Sequence, residues 1–391
     1  MSVIKITHPK LRTQAGEAHR TATWLELFYD LAFVVAVAVL AGRLLADDTW
    51  SGVASYFGYF TLLWWLWASH TFYADRYDTD DLVYRLLAAG QMVAVVVIAS
   101  SLSLDEANST TAFALGYAIS RLLLLIMYWR AYRHVPESRT LTRGYLIGFG
   151  VAAVVWSASI IFPEQARYGL WAVALAIDLA TPWLMRVEQA KVPFDASHLP
   201  ERFGLFTILV LGESIAAVVA GLAHVPWRPA STVAAALAIG VATALWWLYF
   251  DNARGSVVRR DPSVRRTWRP TVWLYAHLPL AAGLVGSGVA LEHAVAEAGH
   301  GPMVTSDRWL LVGSLAVVFL CFALVHMASS SEGSRDRPLV LGRLLAVPFL
   351  LVIGLLSGLE SQWVALGVLG VCIALVISDL SSTEQLETGS I

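Results

Sequence analysis

The chain has 391 residues, of which 57% are hydrophobic and 14% are charged, and its mean hydropathy is +0.63. Soluble globular domains contain about 25% charged residues, so this composition excludes an ordinary soluble protein and predicts an all-α polytopic membrane protein. The net charge is −2. The two cysteines, Cys321 and Cys372, lie within apolar stretches, which gives no support to a disulfide framework or a cysteine metal site.

The N-terminal segment, residues 1–24, is polar and precedes the first apolar run. We interpret that run as an uncleaved span, because Glu26 and Asp30 at its head do not suit the uncharged core of a signal peptide. A spanning helix needs about 20 predominantly apolar residues, and the chain contains about twelve such segments. The predicted spans are residues 25–44, 52–73, 82–102, 111–132, 143–162, 167–186, 202–222, 232–251, 271–291, 308–328, 339–357 and 362–380.

The basic residues predict the orientation of these spans, because cytoplasmic loops carry an excess of Lys and Arg. With the N-terminus inside, 22 of the 27 basic residues fall in inner segments and four fall in outer segments. The remaining one is Arg121, within the fourth span. Both termini are therefore predicted to be cytoplasmic. The polar residues 381–391 are predicted to form a disordered C-terminal tail.

Two acidic residues open the first span. Glu26 and Asp30 stand four residues apart, so they share one face of a helix near its cytoplasmic end. In one interpretation they are cap-region residues that pair with loop arginines and are favoured by the helix macrodipole. In the other they line a cytoplasmic vestibule that attracts cations. Glu201 lies at the head of the seventh span, as Glu26 does at the head of the first.

His70 and Asp75 lie at the exit of the second span, after its Trp-rich stretch. Charged flanks normally terminate spans, so we interpret both residues as solvated ends of this helix.

Three ionisable residues are predicted at similar depth within the membrane: Arg121 in the fourth span, Asp178 in the sixth and Glu213 in the seventh. An unpaired arginine near the midplane costs at least about 3 kcal/mol, so a carboxylate partner is expected, and both acids are candidates. Such a pair either holds the helices together or acts as a charge relay, in which the carboxylate leaves the arginine when a proton or cation binds. Ser214, beside Glu213, suits close helix approach or a backbone opened towards a pore.

Two pairs of similar segments indicate an internal repeat. Aligning Glu26 with Glu201 requires a shift of 175 residues, and aligning the Trp-rich residues 63–67 with residues 245–249 requires 182. Each half would hold six spans, and an even number makes the halves parallel repeats, although the tryptophans could also be interfacial anchors. The predicted parts are a cytoplasmic N-terminal tail (1–24), a first six-helix repeat (25–190), a second six-helix repeat (191–380) and the C-terminal tail (381–391).

No nucleotide-binding loop and no His/Glu metal motif occurs in the sequence. The sequence therefore predicts no cofactor and no metal site. Six arginines lie between residues 254 and 269, and we interpret them as an orientation determinant that contacts lipid headgroups and not as a nucleic-acid site. The expected partners are the lipid bilayer and a proton, an ion or a small molecule.

Two segments resemble the bacterial low temperature requirement protein A (LtrA) family. They are Glu26-Leu-Phe-Tyr-Asp30-Leu-Ala-Phe-Val and the longer, more specific segment from His198 to Ile215. The resemblance covers roughly residues 20–380. It implies a multispanning bacterial protein of the plasma membrane, and the family is named for a growth phenotype without a settled activity.

Three classes of function fit these observations. The first is a secondary transporter or ion-conducting protein, with a pathway through Glu213, Arg121 and Asp178, and it is favoured because intramembrane ionisable residues usually have a function. The second is a membrane enzyme acting on lipid, with carboxylates as acid and base. The third is a non-catalytic stress or assembly factor whose buried charges hold the bundle together. We predict that the protein is not an enzyme.

Overall fold

The structure is a computed structural model, and it describes residues 6–12, 22–103, 109–192, 194–195, 198–223, 225, 228–252, 268–329 and 337–388. These residues are almost entirely helical. The first helices are α1 (Trp24–Ala46), α2 (Trp50–Arg76), α3 (Leu82–Leu102), α4 (Ser109–His134), α5 (Arg139–Ser159), α6 (Glu164–Leu184) and the short α7 (Arg186–Lys191). They are followed by α8 (His198–Ala223), α9 (Pro229–Asn252), α10 (Arg269–Ala296), α11 (Thr305–Ser329), α12 (Arg337–Leu355) and α13 (Ser361–Thr388).

Ten helices of the described residues are long and apolar enough to cross a membrane. The chain is therefore an all-helical, multi-pass membrane protein. Each of the predicted spans overlaps one long helix, but α2 and α6 are not among the ten. The amino acids explain this, because α2 is rich in Trp, Tyr and Ser, and α6 contains Glu164, Arg167 and Asp178.

The chain forms two compact units. Unit 1 comprises residues 1–40 and 59–202, and unit 2 comprises residues 41–58 and 203–391. The division passes through α1 and α2, so residues 41–58, at the turn between these two helices, belong to unit 2.

In unit 1, helices that follow one another in the chain pack together, as α3 does with α4 and α4 with α5. Aromatic side chains fill the interior. Trp156 stacks on Tyr117 with ring centroids 3.9 Å apart, and Trp64, Trp65 and Trp67 are at most 1% exposed. A two-stranded antiparallel sheet pairs β1 (Lys10–Leu11) with β2 (Tyr77–Asp78), which attaches the N-terminal segment to the end of α2.

In unit 2, α10 is the most enclosed of the candidate spans, and it packs mainly against α11. Small residues allow this contact: a Cβ added to Gly283 would lie 2.9 Å from the backbone oxygen of Ser314. The loop that follows α10 turns at Gly299 and Gly301, whose φ angles are 81° and 124°. Both values lie in the region that favours glycine.

The last helix, α13, continues to Thr388 and so includes most of the segment predicted to be a disordered tail. Residues 381–388 contain neither Gly nor Pro, and nothing in their sequence stops the helix before Gly389. Residues 389–391 lie outside the described residues.

Candidate functional site

The two acid-containing segments that stand out in the sequence meet inside unit 1. The acids Glu26 and Asp30 extend from α1, and the bases His198 and Arg202 extend from α8. His198 Nε2 lies 3.3 Å from Glu26 Oε2, and Arg202 Nη2 donates to Asp30 Oδ1 at 2.6 Å. All four side chains are at most 3% exposed. Because both pairs of residues are four apart, the contacts form two consecutive ion pairs between the helices.

The imidazole of His198 lies between two carboxylates. Its Nδ1 is 3.0 Å from Asp75 Oδ1 and its Nε2 faces Glu26. A histidine ring can donate hydrogen bonds from both nitrogens only when it is protonated. The geometry therefore suits an imidazolium ion shared by Glu26 and Asp75.

Asp30 and Arg202 are only partly satisfied by each other. Asp30 Oδ1 also accepts a hydrogen bond of 2.8 Å from Trp67 Nε1. Within the described part of the chain, Asp30 Oδ2 and the Nε and Nη1 atoms of Arg202 have no hydrogen-bond partner. Buried polar atoms without partners are costly and rare, so they indicate a place where a proton or a polar ligand can bind.

Glu26 also caps α1. Its Oε2 accepts hydrogen bonds from the backbone nitrogen and the hydroxyl of Thr23 at 2.7 and 2.9 Å, and Thr23 Oγ1 accepts from Glu26 N at 3.3 Å. This arrangement is a capping box. Glu26 therefore combines a cap-region role with an ion pair, and the partner is a histidine instead of the expected loop arginine. Glu201 is half-buried and accepts a hydrogen bond from Ala22 N at 3.3 Å.

Another buried ion pair lies deeper in unit 1. Arg121 Nε donates to Asp178 Oδ2 at 3.0 Å and Arg121 Nη1 donates to Ser69 Oγ at 3.0 Å. The side chains of Arg121 and Asp178 are fully buried. The guanidinium also lies 5.1 Å from the ring centroid of Phe149, a cation–π contact. Of the two acids that the sequence offered as partners of Arg121, Asp178 occupies this position.

Further buried polar side chains lie near both groups of ion pairs. Tyr29, next to Asp30, stacks on His70 at 3.9 Å. His70 Nδ1 lies 2.7 Å from Gln91 Oε1, and Gln91 Nε2 donates to the backbone oxygen of Ser120 at 3.1 Å. Ser120 precedes Arg121 in α4. We use the name buried polar network for Glu26, Tyr29, Asp30, Ser69, His70, Asp75, Gln91, Arg121, Asp178, His198 and Arg202.

The interpretation of His70 and Asp75 as solvated helix ends is wrong, because the two residues are 1% and 0% exposed. α2 continues to Arg76, three residues beyond the predicted end of the second span at residue 73. Its last turn is covered by the segment before α8, where Asp195 N donates to Asp75 Oδ2 at 2.8 Å.

Glu213 and Ser214 lie in unit 2, on α8. Ser214 is buried and its hydroxyl lies 3.4 Å from the backbone oxygen of Leu284 on α10. A Cβ added to Gly288 of α10 would lie 2.7 Å from Ser214 Oγ, which is the close helix approach expected at this motif. Glu213 is half-buried, and no hydrogen bond joins it to another described side chain.

A sequence model of the bacterial low temperature requirement A protein (LtrA) family matches residues 21–376. The chain belongs to this family. The resemblance to LtrA proteins at the α1 and α8 segments is thereby confirmed. Among other sequences, an uncharacterized protein of Rhizobium meliloti (strain 1021) is 27% identical to this LtrA protein over 288 residues, which cover 70% of each chain.

Sequence reasoning missed several residues of the buried polar network in this LtrA protein. His198 and Arg202 lie in the family segment, but the sequence did not indicate either of them as a site residue. The available signal was their spacing: His198 and Arg202 are four residues apart, as Glu26 and Asp30 are, with opposite charge. For Gln91 the sequence carries no such signal, because a single amide in an apolar span is common.

Proposed function

We propose that this LtrA protein is a proton-coupled secondary transporter or ion-conducting protein, and that the buried polar network of unit 1 moves the coupling proton. One observation supports this most strongly: ionisable and hydrogen-bonding side chains follow one another from the start of α8 to Arg121, which lies near the middle of α4. Burying such groups in a membrane protein is costly, and they usually mark ion pathways or proton relays.

The Arg121–Asp178 pair supplies the switching element of the proposal. Protonation of Asp178 removes its negative charge and weakens the ion pair, while Arg121 keeps its hydrogen bond to Ser69. In the proposed pathway, the phenol of Tyr29, next to Asp30 in the sequence, and the imidazole of His70, which stacks on it, link Asp30 with this pair. Both groups can donate and accept protons. His198, with carboxylates on both sides, is the ionisable group at the other end of the network.

We further propose that twelve helices cross the membrane, with both termini in the cytoplasm. The N-terminal strand, which precedes α1, pairs with Tyr77 and Asp78, which follow α2. If α1 crosses the membrane, α2 must return the chain to the same side. The same reasoning supports α6. Tyr77 OH donates to Ser138 at 3.0 Å before α5, and Arg76 Nη2 donates to Gln189 at 3.1 Å after α6. The chain therefore enters α5 and leaves α6 on the same side, so α6 must cross if α5 does.

The proposal also covers the repeats, the membrane and the partners of the protein. Residues 25–190 and 191–380 would each contain six spans and form two parallel repeats between terminal segments 1–24 and 381–391. The protein would reside in the bacterial plasma membrane. Its partners would be the bilayer and a proton, an ion or a small molecule, and it would neither catalyse a covalent reaction nor bind nucleic acid.

Proton flux in liposomes tests the proposed function. The purified protein is reconstituted with an internal pH-sensitive dye, and potassium diffusion potentials of both signs are imposed in turn. We expect flux in the wild type and a decrease of about 100-fold in Asp178→Asn, the scale of a lost proton-transfer group. The matched control is Asp379→Asn in unit 2, whose carboxylate accepts a 2.8 Å hydrogen bond from Arg343. This control should retain the wild-type flux.

The absence of flux in the wild type under both polarities would refute the proposal. Wild-type flux in a folded Asp178→Asn variant would also refute it. Size-exclusion chromatography and thermal unfolding show whether each variant is folded. Arg121→Gln provides a second test, since it leaves the carboxylate in place and removes its charge partner.

A further inference from the structure

Three potential metal ligands meet in unit 2, outside the buried polar network. Asp48 lies between α1 and α2, His293 lies near the end of α10 and Asp307 lies in the first turn of α11. One ligand atom from each of these side chains lies within 4.8 Å of the other two. His293 Nδ1 also makes a short hydrogen bond to Asp307 Oδ1.

The charges around this cluster favour a cation. Asp48 and Asp307 bring two carboxylates together, and among the described residues no arginine or lysine forms an ion pair with either of them. The neighbouring Arg308 points elsewhere, because its Nε donates to the backbone oxygen of Gly354 at 2.9 Å and its Nη1 donates to Met303 at 3.2 Å. Two carboxylates and a neutral imidazole together match the charge of a divalent ion.

A third acid near the cluster, Glu297, is affected by its negative charge. Burial, followed by the charge of Asp307, raises the pKa of the Glu297 carboxyl just after α10. A bound cation would relieve this repulsion.

The backbone holds the ligands in position. The loop between α10 and α11 is short and turns at two glycines with positive φ, so the end of one helix lies beside the start of the next. Met303 N donates to the oxygen of Leu359 at 2.8 Å, which ties this loop to the start of α13. Asp307 is 3% exposed, whereas His293 and Asp48 are half-buried, so an ion can enter from the solvent.

We propose that Asp48, His293 and Asp307 form a binding site for a divalent transition-metal ion of the Zn²⁺ class. One nitrogen and two oxygen ligands favour such an ion over Ca²⁺ or Mg²⁺, which prefer oxygen ligands alone. The bound ion would connect the α1–α2 turn with the α10–α11 loop. In the topology proposed above, both segments face the outside of the cell.

Zinc binding by the intact protein tests this site. The full-length protein, with any histidine tag removed, is freed of metal in detergent and titrated with Zn²⁺ by calorimetry. We expect one Zn²⁺ per chain in the wild type, and a loss of affinity of at least about tenfold in Asp48→Asn and in His293→Asn. Zn²⁺ should also raise the unfolding temperature of the wild type but not of Asp48→Asn.

Two neighbours serve as matched controls. His300→Asn removes an exposed histidine after α10 whose Nε2 lies 2.7 Å from Arg228 Nη1, a contact that disfavours a cation. Asp47→Asn removes the acid beside Asp48, whose carboxylate accepts from Thr49 instead. Both should bind Zn²⁺ as the wild type does. Failure of the wild type to bind, or equal affinity in folded Asp48→Asn and His293→Asn variants, would overturn the proposal.

Discussion

Several buried charges in unit 1 lie beside a side chain of opposite charge. Asp30 and Arg202 are both 0% exposed and are joined at 2.6 Å, while an indole N–H supplies a further hydrogen bond to Asp30. Removing one member of such a pair leaves an uncompensated buried charge, whereas removing both does not. The energetic effect of these residues should therefore be strongly non-additive.

Substitution of this pair gives a quantitative prediction at the residue scale. Arg202→Met and Asp30→Leu should each destabilise the protein by about 3–5 kcal/mol, and the double variant should cost much less than their sum. The measurement is reversible unfolding in detergent, analysed as a double-mutant cycle. Asp80→Asn is the control, because the Asp80–Arg85 pair is about half exposed and its loss should leave the unfolding midpoint unchanged. Additive costs for the two substitutions would contradict the pairing.

Helix contact in unit 2 depends on small residues along α10. At Gly288, an added Cβ would lie 2.9 Å from the Cα of Ser214, a backbone atom that cannot move without shifting α8. Gly212 lies only two residues from Ser214 in the sequence. A Cβ added at Gly212 would have no neighbouring atom within 4 Å. The Gly-Glu-Ser motif therefore contains one residue at a tight helix contact and one glycine that packing does not require.

Substitution of these glycines tests the packing at the scale of the helix. Gly288→Ala should destabilise the protein by about 1–3 kcal/mol, because the extra methyl group overpacks the contact between α8 and α10. Gly212→Ala should be neutral or stabilise the protein by up to about 1 kcal/mol, since alanine favours the helix. Unfolding in detergent measures both. Equal effects of the two substitutions would show that α8 and α10 are not in close contact.

For the whole molecule, the number of crossings decides which loops face the cytoplasm. If only the ten most apolar helices cross the membrane, the first half of the chain has a different orientation than if the less apolar α2 and α6 cross as well. With twelve crossings, residues 160–163 after α5 lie outside. With α2 and α6 excluded, the same residues lie inside.

Labelling of single cysteines with a membrane-impermeant maleimide distinguishes these arrangements. The background lacks the two buried native cysteines. Ile161→Cys and Leu356→Cys, at positions that are 84% and 48% exposed, should react in intact cells. Glu137→Cys and Arg337→Cys should react only after permeabilisation. Protection of Ile161→Cys in intact cells would contradict twelve crossings, and opposite labelling of Ile161→Cys and Leu356→Cys would contradict parallel halves.

The sequence by itself determined the class of protein, the position of nearly every helix and the family. These are local properties: an apolar run of sufficient length must form a helix to satisfy its backbone in lipid, and breaks in hydropathy mark its ends. The predicted start of the first span, residue 25, and the observed start of α1 at Trp24 agree for this reason. The α1 and α8 segments also identified the LtrA family without any knowledge of contacts.

Only the tertiary structure decided which charges meet. Asp178 and Glu213 have similar depth in their spans, so depth could not select the partner of Arg121. Packing places Asp178 at 3.0 Å from Arg121 Nε. The burial of Asp75 and its contact with His198 likewise arise from segments far apart in the chain. Hydropathy indicates the free-energy cost of placing each charge in the membrane. The ion pair that offsets this cost forms with a neighbouring side chain, which only the folded helices bring close.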